Sequence, residues 1–174
     1  MRRIDIETGR LTLRAFTSGD ASIVQRLAGN KKVSNVTANI PHPYPDGLAA
    51  KWIAAHEGMF HTKGALLYAI ALKENDELIG CINIIGIHSE KPEIGYWIGF
   101  DFWGHGYCTE ALKALIKFCR NEYDIPAIYG RHLTRNPSSG RVMEKCGLSL
   151  VSQSIVKTGL MPQHEELKEY ARFF

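Results

Sequence analysis

The tightest restriction on this chain's fold is a change of hydrophobic period made across a pair of glycines. From Leu66 to Phe100 the apolar residues form three strand-length runs, Leu66 to Lys73, Leu78 to Ile87 and Lys91 to Phe100. Glu74-Asn75-Asp76-Glu77 is a turn, so the first two runs read as a hairpin. Past Phe100 the period becomes helical. Leu112, Leu115, Ile116 and Cys119 fall at i, i+3, i+4 and i+7, while Lys113, Lys117 and Arg120 face away. Trp103-Gly104-His105-Gly106-Tyr107-Cys108-Thr109 makes the switch. Such a join sets a helix start at the end of a strand. Unpaired N–H groups and a partial positive charge collect there, and two residues without Cβ let backbone approach a partner. The pattern suits an anion.

The flanking sequence supplies the other elements. Leu11 to Phe16 alternates and predicts a strand. Ser18 or Asp20 can cap a short helix with Ile23, Val24 and Leu27 inside. Pro41 to Gly47 is a rigid loop, and a second helix follows with Leu48, Trp52, Ile53, Met59 and Phe60 on its apolar face. Ala127 to Leu133 predicts a strand after Pro126. Asn136-Pro137 predicts a helix capped by the asparagine side chain, and Gly147 closes it in the left-handed region. Leu148 to Val156 and Tyr170 to Phe174 are final strands. At 174 residues this order gives one mixed α/β domain.

Several function classes drop out. A net charge of +3 with scattered Lys and Arg suits a small anionic ligand and does not call for nucleic acid. Cys81, Cys108, Cys119 and Cys146 show no paired spacing, and Met1-Arg2-Arg3-Ile4-Asp5 does not open a signal peptide. The expectation is a cytoplasmic protein with reduced thiols. Leu78 to Ile87, the most apolar run, is far short of a membrane span. No Walker loop is present. A dinucleotide fingerprint would need a third glycine where Thr109 stands, and Asp124 precedes the next strand instead of ending it. His56 and His61 are five apart, rotated by about 140° on a helix, and cannot share a metal. No metal site is expected. A tight strand-to-helix turn without a ligand remains the plain alternative for the glycine pair.

Four motifs in order point further. Trp103-Gly104-His105-Gly106-Tyr107-Cys108-Thr109-Glu110-Ala111-Leu112, then Asn136-Pro137-Ser138-Ser139-Gly140-Arg141-Val142-Met143-Glu144-Lys145-Cys146-Gly147-Leu148, resemble the GNAT N-acetyltransferases. Glu7 to Arg14 and Ile94-Gly95-Tyr96-Trp97-Ile98 resemble the branch that acetylates ribosomal-protein N-termini at alanine or serine. The resemblance implies a single GNAT domain over residues 1–174. Its central sheet would be twisted and mostly antiparallel, with about six or seven strands. The sheet would be splayed at the acetyl-CoA site and flanked by about four helices. It implies transfer of an acetyl group from acetyl-CoA to a primary amine by direct attack, the amine being a protein N-terminus. A small amine (antibiotic, polyamine or amino acid) and a CoA-binding module without turnover are the alternatives. A homodimer is also within what the resemblance implies. Two residues depart from the family's loop: Trp103 stands where Gln or Arg is usual, and Cys108 where Gly or Ala is usual.

The resemblance also assigns roles. Loop groups of Trp103, Gly104, His105, Gly106, Tyr107, Cys108 and Thr109 would hold the cofactor diphosphate, chiefly through backbone N–H. His105 would add a weak cation or serve as a solvated turn residue. Backbone groups of Trp97, Ile98 and Phe100 would bond the pantetheine arm, one N–H polarising the thioester carbonyl. Asn136 would contact the arm or the acceptor with whatever its cap leaves free. Ser139 is a candidate proton donor to the departing thiolate, or else an early helix serine bonding backbone. Glu93, on one strand face with Gly95 and Trp97, is a candidate acceptor of the amine proton, or else a surface carboxylate. Cys108 beside His105 raises an acyl-cysteine route, since a helix start lowers a thiol pKa; direct transfer is the preferred reading.

Overall fold

Leu66 to Leu72 is buried at every position, which a strand achieves only when both faces of its sheet are covered. In a computed structural model of the chain, describing residues 4–174, it is the third of eight strands. The reading of the first residues as lacking a secretion signal falls partly on residues 1–3, outside those described. The strands are β1 (Ile6–Glu7), β2 (Leu11–Arg14), β3 (Leu66–Leu72), β4 (Leu78–Ile85), β5 (Glu93–Ile98), β6 (Ala127–Leu133), β7 (Ser149–Val156) and β8 (Glu165–Phe173). They form one sheet in the order β1-β2-β3-β4-β5-β6-β8-β7, and only β5 and β6 pair in parallel.

Helices cover both faces. The helices α1 (Ala21–Ala28), α2 (Lys31–Ser34), α3 (Leu48–Ala54) and α4 (His56–Lys63) precede β3, α5 (Tyr107–Tyr123) follows β5, and α6 (Pro137–Lys145) follows β6. The apolar stripe of α5, including Leu112, Leu115 and Cys119, packs on Tyr68, Ile70, Ile82 and Ile94. A smaller core on the opposite face joins Val24, Ala28 and Ala49 to Ala69 and Leu78.

The mixed α/β class and the mostly antiparallel sheet match expectation. Two elements are additions too short for a periodic signal, β1 and α2. The predicted helix from Leu48 to Phe60 breaks at Ala55 because its halves serve different cores. Trp52 packs toward α1, and Phe60 packs toward the core under α5. Ser18–Asp20 is a 3-10 turn in which Thr17 and Asp20 cap each other, so Thr17 takes the position expected of Ser18 or Asp20. No helix among the described residues is long and apolar enough to cross a membrane.

Candidate active site

The glycine pair sits where the period change placed it. After β5 a short 3-10 turn, Phe100–Phe102, leads into Trp103 and the loop, and α5 starts at Tyr107. Gly104 and Gly106 have φ of +82° and +78°, the left-handed region, and a Cβ added at Gly104 would meet nothing within 4 Å. The first bond of α5 runs from the N–H of Glu110 to the carbonyl of Gly106, at 3.1 Å. The N–H groups of Tyr107, Cys108 and Thr109 therefore have no helical carbonyl to donate to.

The turn between β1 and β2 braces the loop. Arg10 Nη1 donates to the His105 carbonyl at 3.0 Å, and its guanidinium lies 4.6 Å from the Tyr107 ring centroid. Glu110 accepts from Arg10 Nε at 2.7 Å, from the Arg10 N–H at 2.9 Å and from Thr8 Oγ1 at 2.7 Å. Burial opposes charge on Glu110, but these donors outweigh it and hold the carboxyl below its ordinary range. The His105 ring stacks on Tyr107 at 5.6 Å and faces the Phe102 carbonyl, as a turn residue would.

Next to the loop the sheet opens. β5 and β6 pair only at Glu93 with Tyr129 and at Ile94 with Gly130, leaving Gly95 to Ile98 without a partner from β6. Backbone groups alternate sides along a strand. The N–H of Gly99 donates to Ile79, toward β4, whereas the Pro92 carbonyl accepts from Tyr129, toward β6. Tyr96 and Ile98 therefore turn their backbone groups into the gap, and Trp97 turns its own to β4. This corrects the expected Trp97 backbone contact; the Trp97 ring packs on the smaller core. The Ile98 carbonyl already accepts from Trp103 Nε1 at 2.8 Å. The Phe100 ring lies 5.1 Å from that of Trp103, with the Lys32 ammonium 3.6 Å from its centroid.

At the mouth of the gap stands the first turn of α6. His132 Nδ1 donates to the Leu133 carbonyl at 2.8 Å, and Nε2 is buried with no hydrogen-bond partner among the described residues. A Cβ on Gly140 would lie 2.7 Å from that nitrogen, so only glycine lets the turn settle there. Ser139 is then beside Tyr96. The Tyr96 hydroxyl lies 2.9 Å from the Ser139 carbonyl and 3.0 Å from Ser139 Oγ. The Ser139 hydroxyl thus meets a phenol, and not the backbone partner that the plain reading gave it. Asn136 departs from expectation as well. Its side chain makes no cap bond; Nδ2 donates to the Val36 carbonyl at 3.1 Å, a partner from the loop after α2.

Glu93 lies at the closed end of the splay, held by Arg131 through Nε at 2.8 Å and Nη2 at 2.7 Å. Cys108 is half-buried against the large core. Burial, with Cys146 adding to it, pushes its thiol well above the ordinary value, so the helix start does not activate it. The Trp52 and His56 rings meet Phe16 edge-on at 5.1 and 5.3 Å, and Phe60 packs against the large core.

Three features escaped the sequence. Tyr96 could have been found by strand parity, which aims it at α6. Arg10 carried no local signal. A groove of about 590 Å³ runs beside α5, lined by Lys113, Lys117, Arg120, Lys145 and Arg172 with no carboxylate. Its lysines looked like an ordinary solvated face, because their convergence with α6 and β8 is tertiary. Cys146 Sγ donates to the Thr109 carbonyl at 3.6 Å, so the groove adjoins the start of α5.

Comparison with known proteins places this geometry. Residues 10–149 match the family model described as the acetyltransferase (GNAT) domain. An uncharacterized N-acetyltransferase p20 of Bacillus licheniformis is 28% identical over 167 residues, 92% of this chain and 87% of that protein. The [ribosomal protein uS5]-alanine N-acetyltransferase of Escherichia coli is 26% identical over 153 residues, 83% of this chain and 78% of that protein. Among solved structures, a ribosomal L7/L12 α-N-protein acetyltransferase in complex with coenzyme A superposes with a TM-score of 0.84 at 21% identity, covering 98% of both chains. A family match over most of the sequence, around a splayed sheet with a glycine loop at its open end, makes this chain a member of the GNAT family, an acetyl-CoA-dependent N-acetyltransferase.

Proposed function

We propose that the chain acetylates the N-terminal amine of a protein, with the thioester held in the gap between β5 and β6. The observation that carries the reading is that gap, a strip of β5 backbone freed from β6 directly below the glycine loop. The N–H groups of Gly104 to Thr109 hold the diphosphate at the start of α5. The near end of the cationic groove, at Lys113 and Lys145, takes the remaining phosphate charge of the cofactor. Backbone groups of Tyr96, Ile98 and Phe100 bond the arm, and an N–H from this strip polarises the carbonyl. Ser139 donates to the departing sulfur. Asn136 keeps the loop after α2 in place through Val36, at the edge of the acceptor side.

Glu93, oriented by Arg131, is the acceptor of the amine proton in this reading. Glu93→Gln should lower kcat by about 100-fold, the lower end of what a positioned base supplies. An unchanged kcat removes Glu93 from the mechanism. The similarity to an alanine N-acetyltransferase along 83% of the chain supports a protein acceptor. A homodimer belongs to the same reading, with the uncharged outer edge of β7 as its surface.

Thiol release from acetyl-CoA tests the acceptor, using peptides that begin with alanine or serine beside polyamines, aminoglycosides and free amino acids. Turnover selective for peptides is the expected result. Turnover of small amines alone overturns the protein acceptor, and coenzyme binding without any turnover makes the chain a binding module.

A further inference from the structure

We propose that Tyr96 is a positioning residue for the leaving sulfur: its phenol donates to Ser139 Oγ and so turns the Ser139 hydroxyl proton outward to the thioester. The inference rests on the role given to Ser139 above. The pair offers two protons to three oxygens. In one arrangement the phenol donates to the Ser139 carbonyl at 2.9 Å and the serine hydroxyl donates back to the phenol at 3.0 Å. Both protons are then spent inside the pair. In the other, the phenol donates to Ser139 Oγ, and the serine proton is free to point into the gap. Oxygen positions are the same in both, so the exchange needs only two hydroxyl rotations.

Charge on the sulfur selects the second arrangement. The amine lone pair attacks the thioester carbon, the C–N bond forms, and the C–S bond breaks with its electron pair on sulfur. The amine proton leaves to Glu93 or to water. Ser139 O–H donates to the new thiolate, and Tyr96 O–H, donating to Ser139 Oγ, polarises that bond. Neither oxygen loses its proton. Burial, with Cys108 adding to it, pushes the Tyr96 phenol far above its ordinary value, so it is a donor at every working pH. Cys146, close by, is pushed up to about 11 by burial and is neutral as well. The missing side chain at Gly140 lets the α6 turn sit against the His132 ring, where this contact is made.

Tyr96→Phe keeps the ring and removes the donor. With whichever amine turns over in the panel, kcat should fall about tenfold while KM for acetyl-CoA stays within about twofold, and Tyr96→Phe added to Ser139→Ala should cost no more than Ser139→Ala alone. A second readout needs no turnover. The pKa of the CoA thiol bound to the full chain, followed by thiolate absorbance, should rise by about one unit in Tyr96→Phe relative to the unaltered protein. An unchanged kcat and thiol pKa in Tyr96→Phe, beside a fall in Ser139→Ala, overturns the role of Tyr96 and leaves the acetyltransferase reading intact. A raised KM and lowered Tm with kcat unchanged make Tyr96 a packing residue. Failure of the unaltered chain to bind CoA overturns both.

Discussion

Trp103 and Cys108 are the two loop residues that depart from the family pattern, and each has a packing explanation. The Trp103 indole donates to the Ile98 carbonyl, one of the backbone groups the cofactor arm would use. Trp103→Phe keeps the ring against Phe100 and frees that carbonyl, so KM for acetyl-CoA should fall about fivefold with kcat unchanged, the value of one hydrogen bond of about 1 kcal/mol. A KM that stays put or rises shows that the indole does not compete. Cys108 faces inward, with its thiol held protonated by burial. Cys108→Ala should retain near-full activity in a steady-state assay, whereas loss of activity would revive a covalent route. Neither orientation follows from residue type. A cysteine at a helix start can be activated by the dipole or silenced by burial, and only the core under α5 decides.

The glycine loop is a poor structure by itself and depends on β1, β2 and the segment between them. Arg10 binds the His105 carbonyl and lies on the Tyr107 ring, while Glu110 gathers Arg10 and Thr8. Arg10→Ala should therefore raise KM for acetyl-CoA by about tenfold, about one charge-assisted hydrogen bond, and leave kcat nearly unchanged. Equal KM values for the two proteins would show that the loop holds its shape alone. The loop, its glycines and α5 were legible because strand and helix periods differ and φ near +80° favours glycine. Arg10 was not, since a contact across 95 residues leaves no trace in local periodicity. Helix α6 shows both sides of this. Its start at Pro137 and its end at Gly147 were readable, but the Asn136 side chain turned to Val36 because a tertiary carbonyl outcompeted the cap.

Across the whole molecule one partly buried ion pair ties three parts of the fold. Arg14 on β2 donates to Asp20 at 2.9 and 3.1 Å and to Asp76 in the β3–β4 turn at 2.9 Å, and Asp20 also accepts from Thr17. Burial opposes charge on Asp20, but the bonds from Arg14 and Thr17 outweigh it and lower its pKa. A carboxyl lowered in this way stabilises the fold fully above its unfolded value near about 4 and loses that contribution as the pH falls through the folded value. Asp20→Asn should cost about 1–2 kcal/mol at pH 7, because it leaves a half-buried guanidinium with the exposed Asp76 as its one carboxylate partner. In urea unfolding the gap between the two proteins should narrow below about pH 4; a gap constant with pH would assign the loss to packing alone. The sequence by itself determined the mixed α/β class, the β3–β4 hairpin, the strand–loop–α5 junction and the α6 segment. Those depend on residues within a few positions of one another, and propensity and hydrophobic period act at that range. Tertiary structure alone decided the opening of β5 from β6, the backbone parity that presents Tyr96 and Ile98 in place of Trp97, the contact of Tyr96 with Ser139, and the convergence of Lys113, Lys145 and Arg172. Each joins residues far apart along the chain, where strand register and helix packing, and not local pattern, determine which groups meet.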